Sequence, residues 1–391
     1  MSARQWAVGL AGFVSFLNMY SPQAILPLLG NEFAAGPAEI STIMTAGTLS
    51  VALIAPFTGT VADVLGRKRV IVLAMLAVVI PTVAQALAGT LDALIAWKFL
   101  QGLMLPPIFA VTIAYVGEEW PRREAAAAAG IYTAGASLGG LCARFVTGVI
   151  ADLAGWRAAF LTIAGVTLFC AVAVAWLLPR EQKFVRSEGL LASARQMLLH
   201  FRNAQLVATY AVGFGTLFNF IATFTFVSFH LAAPPYGLSA SAIGAIFLTY
   251  LVGTVLAPTV GWTIHRIGRR AFVLAILIAW ASGLLLTLAA PLPLIVIGLA
   301  VCAGAGMLTQ AISTGYVAVS AASGTSSAVG LYVTAFYIGG SAGAALGALA
   351  WLAGGWPACV ALMLGTLVIM AAVVWLVWTP GPPVARQGQP S

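Results

Sequence analysis

Twelve apolar stretches, each close to twenty residues or longer, account for most of this chain. They run over 6–29, 40–61, 70–88, 93–116, 125–150, 158–178, 205–230, 240–262, 271–290, 293–318, 325–350 and 357–378. A helix rises about 1.5 Å per residue, so about 20 apolar residues cross the hydrocarbon core of a bilayer. Lipid offers a backbone no water to bond, and a helix satisfies its own N–H and C=O groups. The predicted fold class is therefore all-α integral membrane, with twelve transmembrane helices. Hydrophobic residues make up 61% of the chain and charged residues 7%. Soluble domains sit near about 45–50% and about 25%, which excludes that class. The first run is too long for a signal peptide and has no A-x-A site after it, so it is expected to remain as a helix.

Most connections between runs are short. The exception is 179–204, PREQKFVRSEGLLASARQMLLHFRNA, which is charged and partly amphipathic. Its basic residues and its Leu190, Leu191, Met197, Leu198 pattern predict a surface helix at the cytoplasmic interface, against membrane lipid. The expected domains are a six-helix bundle over 1–178, a linker over 179–204 and a second six-helix bundle over 205–391.

Lys and Arg in the connections set the orientation. With the N-terminus cytoplasmic, the inner side holds Arg4, the Arg67–Arg69 cluster, Arg122, Arg123, the linker cations, Arg266, Arg269, Arg270 and Arg386, fifteen in all, and the outer side holds Arg157 alone. Both termini are expected in the cytoplasm, in a plasma membrane and specifically a bacterial inner membrane. The net charge of +8 is spread over alternate loops rather than one face, which argues against a nucleic-acid partner. Cys142, Cys170, Cys302 and Cys359 lie inside apolar runs without C-x-x-C spacing, so no disulfide, metal or cofactor is expected.

The two halves repeat each other. Asn18 in GFVSFLN corresponds to Asn219 in GFGTLFN. Ala55, Pro56 and Gly59 correspond to Ala257, Pro258 and Gly261. GIYTAGASLGG (130–140) corresponds to GLYVTAFYIGG (330–340), and Gly155-Trp156 to Gly355-Trp356. The offset stays between 200 and 202. Six helices return the chain to its starting side, so the copies are parallel repeats, an arrangement that transporters use around a midplane site.

Between the second and third runs stands GTVADVLGRKR (59–69), and between the eighth and ninth GWTIHRIGRR (261–270) repeats its frame with His265 in place of Asp63. The first copy fills the pattern G-x-x-x-D-x-x-G-R-[KR] with Gly59, Asp63, Gly66, Arg67 and Lys68. With twelve helices, a charged central loop and this motif, the whole chain resembles the major facilitator superfamily. AWKFLQGL in the fourth run and GIYTAGASLGGLCARFVTG in the fifth are similar to the drug–proton antiporter branch, specifically the arabinose-efflux-like permeases. Lys98 stands where that branch carries Arg, its proline in the fifth helix is absent, and Arg144 is present instead. The resemblance implies that the loop acts as a conformational latch across the seam between the halves, near the start of helix 11 (ASGTSSAVG, 322–330). On that reading Gly59 allows close helix approach, Gly66 turns the chain, Arg67 and Lys68 hold the loop inside, and Asp63 docks on the helix 11 start. The plainer reading makes the loop an orientation signal only. A pseudo-symmetric pairing of Arg269 and Arg270 with Glu118, Glu119 and Glu124 is also expected.

Charges inside spanning helices are costly and usually functional. Lys98 and Arg144 are the two, and each either faces a central cavity or snorkels outward. Gln101 shares the Lys98 face. Thr133, Ser137, Gly140, Arg144 and Gly148 form one stripe on the fifth helix. Asn18, Tyr20 and Gln23 near Pro22, Asn219 and Thr223, Gln310, and Tyr332 are further candidates to bind solute, each alternatively an interhelical hydrogen-bonding group. Asp152 is a candidate counter-ion for Arg144. All ten carboxylates fall in loops or at helix ends, so a coupled proton is expected to be carried by Glu32, Asp63 or His230.

The expected activity is secondary transport of a small organic solute by alternating access, as a proton-coupled exporter, by a monomer, with preference for anionic or carboxylate-bearing solutes. Uptake of an organic acid or sugar, and multidrug efflux, are the alternatives; coupling to another counter-transported ion stays open. A nucleotide-driven pump lacks G-x-x-x-x-G-K-[ST], and no enzyme is expected, since no nucleophile, base or metal set lies at membrane depth.

Overall fold

Proline and glycine decide where each helix starts, bends and stops. The computed structural model describes residues 2–181, 198–321 and 325–379, nearly all of them helical. The surface helix expected in the linker falls largely on residues outside these. Helix α1 (Ala3–Tyr20) opens on a capping box between Ser2 and Gln5. It stops just before Pro22, which lacks an N–H, and the chain continues through a 3₁₀ turn (Gln23–Ile25) into Leu26–Glu32.

The other helices are α2 (Pro37–Phe57, continued by Thr58–Leu65), α3 (Arg67–Ala86), α4 (Leu91–Glu119), α5 (Arg122–Ala154), α6 (Trp156–Leu177), α7 (Ala204–Ala232), α8 (Ala240–Ile267), α9 (Arg269–Leu286) and α10 (Leu292–Ser320). The last helical stretch, Thr325–Val377, is broken at Gly354 and Gly355 into α11 (325–353) and α12 (356–377). Ten described helices are long and apolar enough to cross a membrane by length and composition. Dividing the last of these at its break and adding α1 gives twelve.

The repeat in the sequence is a repeat in the backbone. Pro56 and Pro258 sit in matching 3₁₀ turns, Ala55–Phe57 and Ala257–Thr259. Gly66 (φ 90°) and Gly268 (φ 82°) turn the chain at the two G-R-[KR] sites, and Gly155 (φ 86°) and Gly355 (φ 62°) do so before the paired tryptophans. Glycines also let helices touch. A Cβ on Gly139 would overlap the Phe13 carbonyl of α1, and a Cβ on Gly339 would overlap the Phe214 carbonyl of α7. The pairs α1–α5 and α7–α11 therefore pack by the same device, one in each six-helix unit.

The units meet through α2 against α11 and α5 against α8. Thr48 and Ser341 share a hydrogen bond of 2.8 Å, and Gly148 packs on the Ala240 carbonyl. The Asp152 carboxylate accepts from the main-chain N–H groups of Ala240 (3.2 Å) and Ser241 (2.8 Å) at the start of α8. These contacts lie in the half of the molecule remote from the start of α1 and the end of α12, here called the distal side. The side with the two chain ends is the proximal side.

Candidate functional site

The α5 stripe leads inward. Thr133 is exposed, Ser137 half-buried, and Gly140 and Arg144 buried. Arg144, 1% exposed, sits where the units meet. Its Nε donates to Gln23 Oε1 (2.8 Å) and its Nη1 to the Gly140 carbonyl (2.6 Å). Aromatic rings pack around the guanidinium: Tyr20 at 4.1 Å from α1, and Tyr250 at 4.6 Å and Phe247 at 4.9 Å from α8. A desolvated cation over such a ring gains about 2 kcal/mol or more. The cage takes residues from both units.

Three buried polar atoms belonging to this cage have no hydrogen-bond partner among the described residues: Arg144 Nη2, Gln23 Nε2 and the Tyr250 hydroxyl. An arginine has five N–H groups and no acceptor, and an amide nitrogen only donates. The set is rich in donors and poor in acceptors. It therefore suits an anion, and best a planar one that meets the guanidinium edge in two places.

Lys98 is placed differently from the expectation. It is 1% exposed, but it lies inside the first unit rather than facing the seam. Its Nζ donates to the main-chain oxygens of Asn18 (2.8 Å) and Met19 (3.1 Å) and to Gln101 Oε1 (2.8 Å). An ammonium has three N–H groups, and all three are engaged. Gln101 Nε2 donates to Asn18 Oδ1 and Thr82 Oγ1, and Asn18 Nδ2 donates to Thr167 Oγ1. Lys98, Gln101 and Asn18 thus form a closed network joining α1, α3, α4 and α6.

Of the other expected solute residues, Tyr20 and Gln23 are in the Arg144 cage, and Ser137 is half-buried two helical turns before Arg144 on α5. Asn219 and Thr223 point into the second unit, toward Met370 Sδ (3.8 Å) and Met363 Sδ (3.0 Å) of α12. Tyr332 is buried with its ring against Gly213 of α7, and Gln310 is exposed on α10. Tyr250 and Phe247 are the members that sequence reasoning missed. Their i, i+3 spacing inside an apolar run, one helical turn before Thr254, was the available signal.

The motif loop is held by the first unit and the start of the linker. Arg67 pairs with Asp63 (2.7 Å) and grips Glu118 with two nitrogens (2.7 and 3.1 Å). The Lys68 main-chain N–H donates to Glu181 (3.2 Å), and Gly66 supplies the turn. In this structure Asp63 therefore faces Arg67. Residues 322–324 of the expected docking partner lie outside the described residues. Gly59 makes no close helix contact, since no described atom lies within 4 Å of a Cβ placed there. Arg269 and Arg270 do not reach the Glu118 region. They lie over Tyr316 and Trp375 of their own unit, each at 4.2 Å. Asp152 serves the α8 N-terminus rather than Arg144.

Of the expected proton carriers, Glu32 accepts from Arg157 (2.8 Å) at the distal surface, and that hydrogen bond lowers its pKa from the ordinary carboxylate value. His230 stacks on Trp356 with centroids 5.8 Å apart.

The family description Major Facilitator Superfamily matches residues 8–246 and 209–391, which together span almost the whole chain. The chain belongs to the major facilitator superfamily. It is similar to the inner membrane transport protein YnfM of Escherichia coli, 32% identical over 68% of this chain and 64% of that protein. An uncharacterized MFS-type transporter of Bacillus subtilis, YybF, is 25% identical over 94% of this chain and 90% of its own length. Among solved structures, a bacterial homolog of the human lysosomal transporter Spinster, in an inward-facing and unoccupied conformation, superposes with a TM-score of 0.74. The superposition covers 96% of this chain and 98% of that one, and at 16% identity it speaks for the superfamily fold alone. The relatives and the fold make this chain a multi-pass membrane transporter.

Proposed function

We propose that this transporter exports a small organic solute bearing a carboxylate or similar anionic group, by alternating access and coupled to protons. The observation that carries the anionic preference is the cage around Arg144, with three buried polar atoms left for a ligand. A buried cation without a charged partner is costly, and a bound anion relieves that cost. Solute contacts are assigned to Arg144, Gln23, Tyr20 and Tyr250, with Ser137 on the approach. The resemblance of AWKFLQGL and the α5 glycine run to proton antiporters favours export. The fifteen-to-one distribution of loop cations favours cytoplasmic termini, and the name of the E. coli relative agrees with an inner membrane. The protein works as a monomer and catalyses no covalent chemistry. Asp63, Arg67 and Glu118 brace the motif loop as the latch of the cycle. His230 is the preferred proton carrier, because the other two candidates, Glu32 and Asp63, each have their carboxylate held by an arginine, Arg157 at 2.8 Å and Arg67 at 2.7 Å.

The test is binding of size-matched anionic, neutral and cationic aromatic probes to purified protein. Benzoate is expected to bind best. Arg144→Lys is expected to weaken it about tenfold or more, because the planar fork is lost. A preference for the cationic probe that survives in Arg144→Lys would return the protein to the multidrug reading.

A further inference from the structure

Helix α1 stops at Tyr20, inside its apolar run, and the consequence falls on its last carbonyl groups. In a helix the oxygen of residue i accepts from the N–H of residue i+4. Position 22 is proline, so the Asn18 oxygen has no such donor. The chain leaves the α-helix after Tyr20 and enters a 3₁₀ turn, so the remaining oxygens of the last turn also need partners from elsewhere. At membrane depth water does not supply them.

Lys98 of α4 does. Its ammonium donates to the Asn18 and Met19 oxygens at 2.8 and 3.1 Å, while Ser21 Oγ adds a weaker bond to Asn18 at 3.2 Å. Gln101 takes the third N–H and is itself held by Asn18 and Thr82. None of the three acceptors is a carboxylate. The positive charge is instead placed at the C-terminal end of α1, where the helix dipole presents its negative end. Charge and orphan carbonyls satisfy each other.

The two residues that hold Arg144 flank this break. Tyr20 is the last residue of α1, and Gln23 is the first of the 3₁₀ turn. One lies over the Arg144 guanidinium and the other accepts from its Nε. We infer that Lys98 is a positioning residue: its ammonium closes the proline break of α1 and thereby fixes Tyr20 and Gln23 against Arg144. Its importance for solute rests on the reading of the Arg144 site given above, but its action on α1 does not.

The test therefore uses no solute. Hydrogen exchange is followed on the purified full chain, in peptides covering residues 18–26, for the wild type and for Lys98→Met, Lys98→Arg, Pro22→Ala and the double variant Pro22→Ala/Lys98→Met. Lys98→Met keeps the side-chain length and loses every donor. It is expected to speed exchange of the 23–26 amides about tenfold or more, as local opening becomes easier. Lys98→Arg, which keeps the donors and the charge, is expected to stay within about threefold of wild type. Pro22→Ala restores the missing N–H, so adding Lys98→Met to it is expected to change exchange less than about threefold. Wild-type exchange in Lys98→Met, or an equal effect of that change with and without Pro22, would overturn the inference. If Lys98→Met gives no folded protein, recovery of folded protein in the double variant supports it and no recovery overturns it.

Discussion

Tyr250 meets Arg144 through two different parts of one side chain. Its ring lies 4.6 Å from the guanidinium carbon, and its hydroxyl is buried without a partner among the described residues. Tyr250→Phe separates the two, because it keeps the ring and removes the donor. A hydrogen bond to a charged group contributes about 1.5–3 kcal/mol, so benzoate affinity is expected to fall about tenfold or more. Melting temperature in the absence of benzoate is expected to stay level or rise, since the change removes a buried group that nothing satisfies. Calorimetric titration and a thermal melt read the two effects separately, and unchanged affinity would remove Tyr250 from the solute contacts. At this scale the sequence was partly legible. Arg144 is conspicuous as a charge in an apolar run, and Tyr20 and Gln23 stand near a proline. Lys98 was equally conspicuous and was misread, because the need it meets is a missing N–H four residues after Asn18, on another helix. Tyr250 was passed over because a tyrosine in an apolar run reads equally as packing.

Helix pairs are where the repeat has physical content. Gly139 and Gly339 are 200 positions apart, and each lets its helix rest on a phenylalanine carbonyl, Phe13 or Phe214. A methyl group at either position forces the same separation of helices, α1 from α5 or α7 from α11. Gly139→Ala and Gly339→Ala are therefore expected to destabilise by similar amounts, about 1–3 kcal/mol each. Gly59→Ala serves as the contrast. No described atom crowds it, so its effect is expected within about 0.5 kcal/mol. Melting curves of the three variants decide, and a loss at Gly59 comparable with the other two would restore the close approach first expected there. All twelve helices were legible from apolar runs and turn glycines, as the paired positive φ angles at Gly66 and Gly268 bear out. The destination of a polar side chain on a helix was not, because periodicity gives a face without naming the neighbour. Asn18 and Asn219 occupy matching positions, yet one joins a hydrogen-bonded network and the other meets a methionine sulfur.

For the molecule as a whole, the site and the distal seal are built on the same pair of helices. Helix α5 carries Arg144 and, eight residues on, Asp152. Helix α8 brings Tyr250 and Phe247 to the first and its N-terminal amides to the second. In the proposed cycle, an opening of the distal side that separates α8 from α5 would dismantle the cage in the same motion. An anion that needs both helices binds the distal-closed form better, and a ligand shifts a conformational equilibrium by its difference in affinity for the two forms. The seal itself is open to measurement at Ala24, which is fully buried and lines a cavity of about 210 Å³ with Asp152 and Ser239. In a background without the four native cysteines, Ala24→Cys reports distal opening through its reaction with an impermeant maleimide. Asp152→Ala removes the acceptor of two helix-terminal N–H groups, a loss of about 1 kcal/mol. Labelling is then expected to quicken about fivefold. Saturating benzoate is expected to slow labelling both with and without Asp152→Ala, but not in Arg144→Lys, where the anion contact is weakened. A labelling rate indifferent to Asp152 would show that the cap is no part of the seal, and slowing by benzoate that persists in Arg144→Lys would place the anion elsewhere.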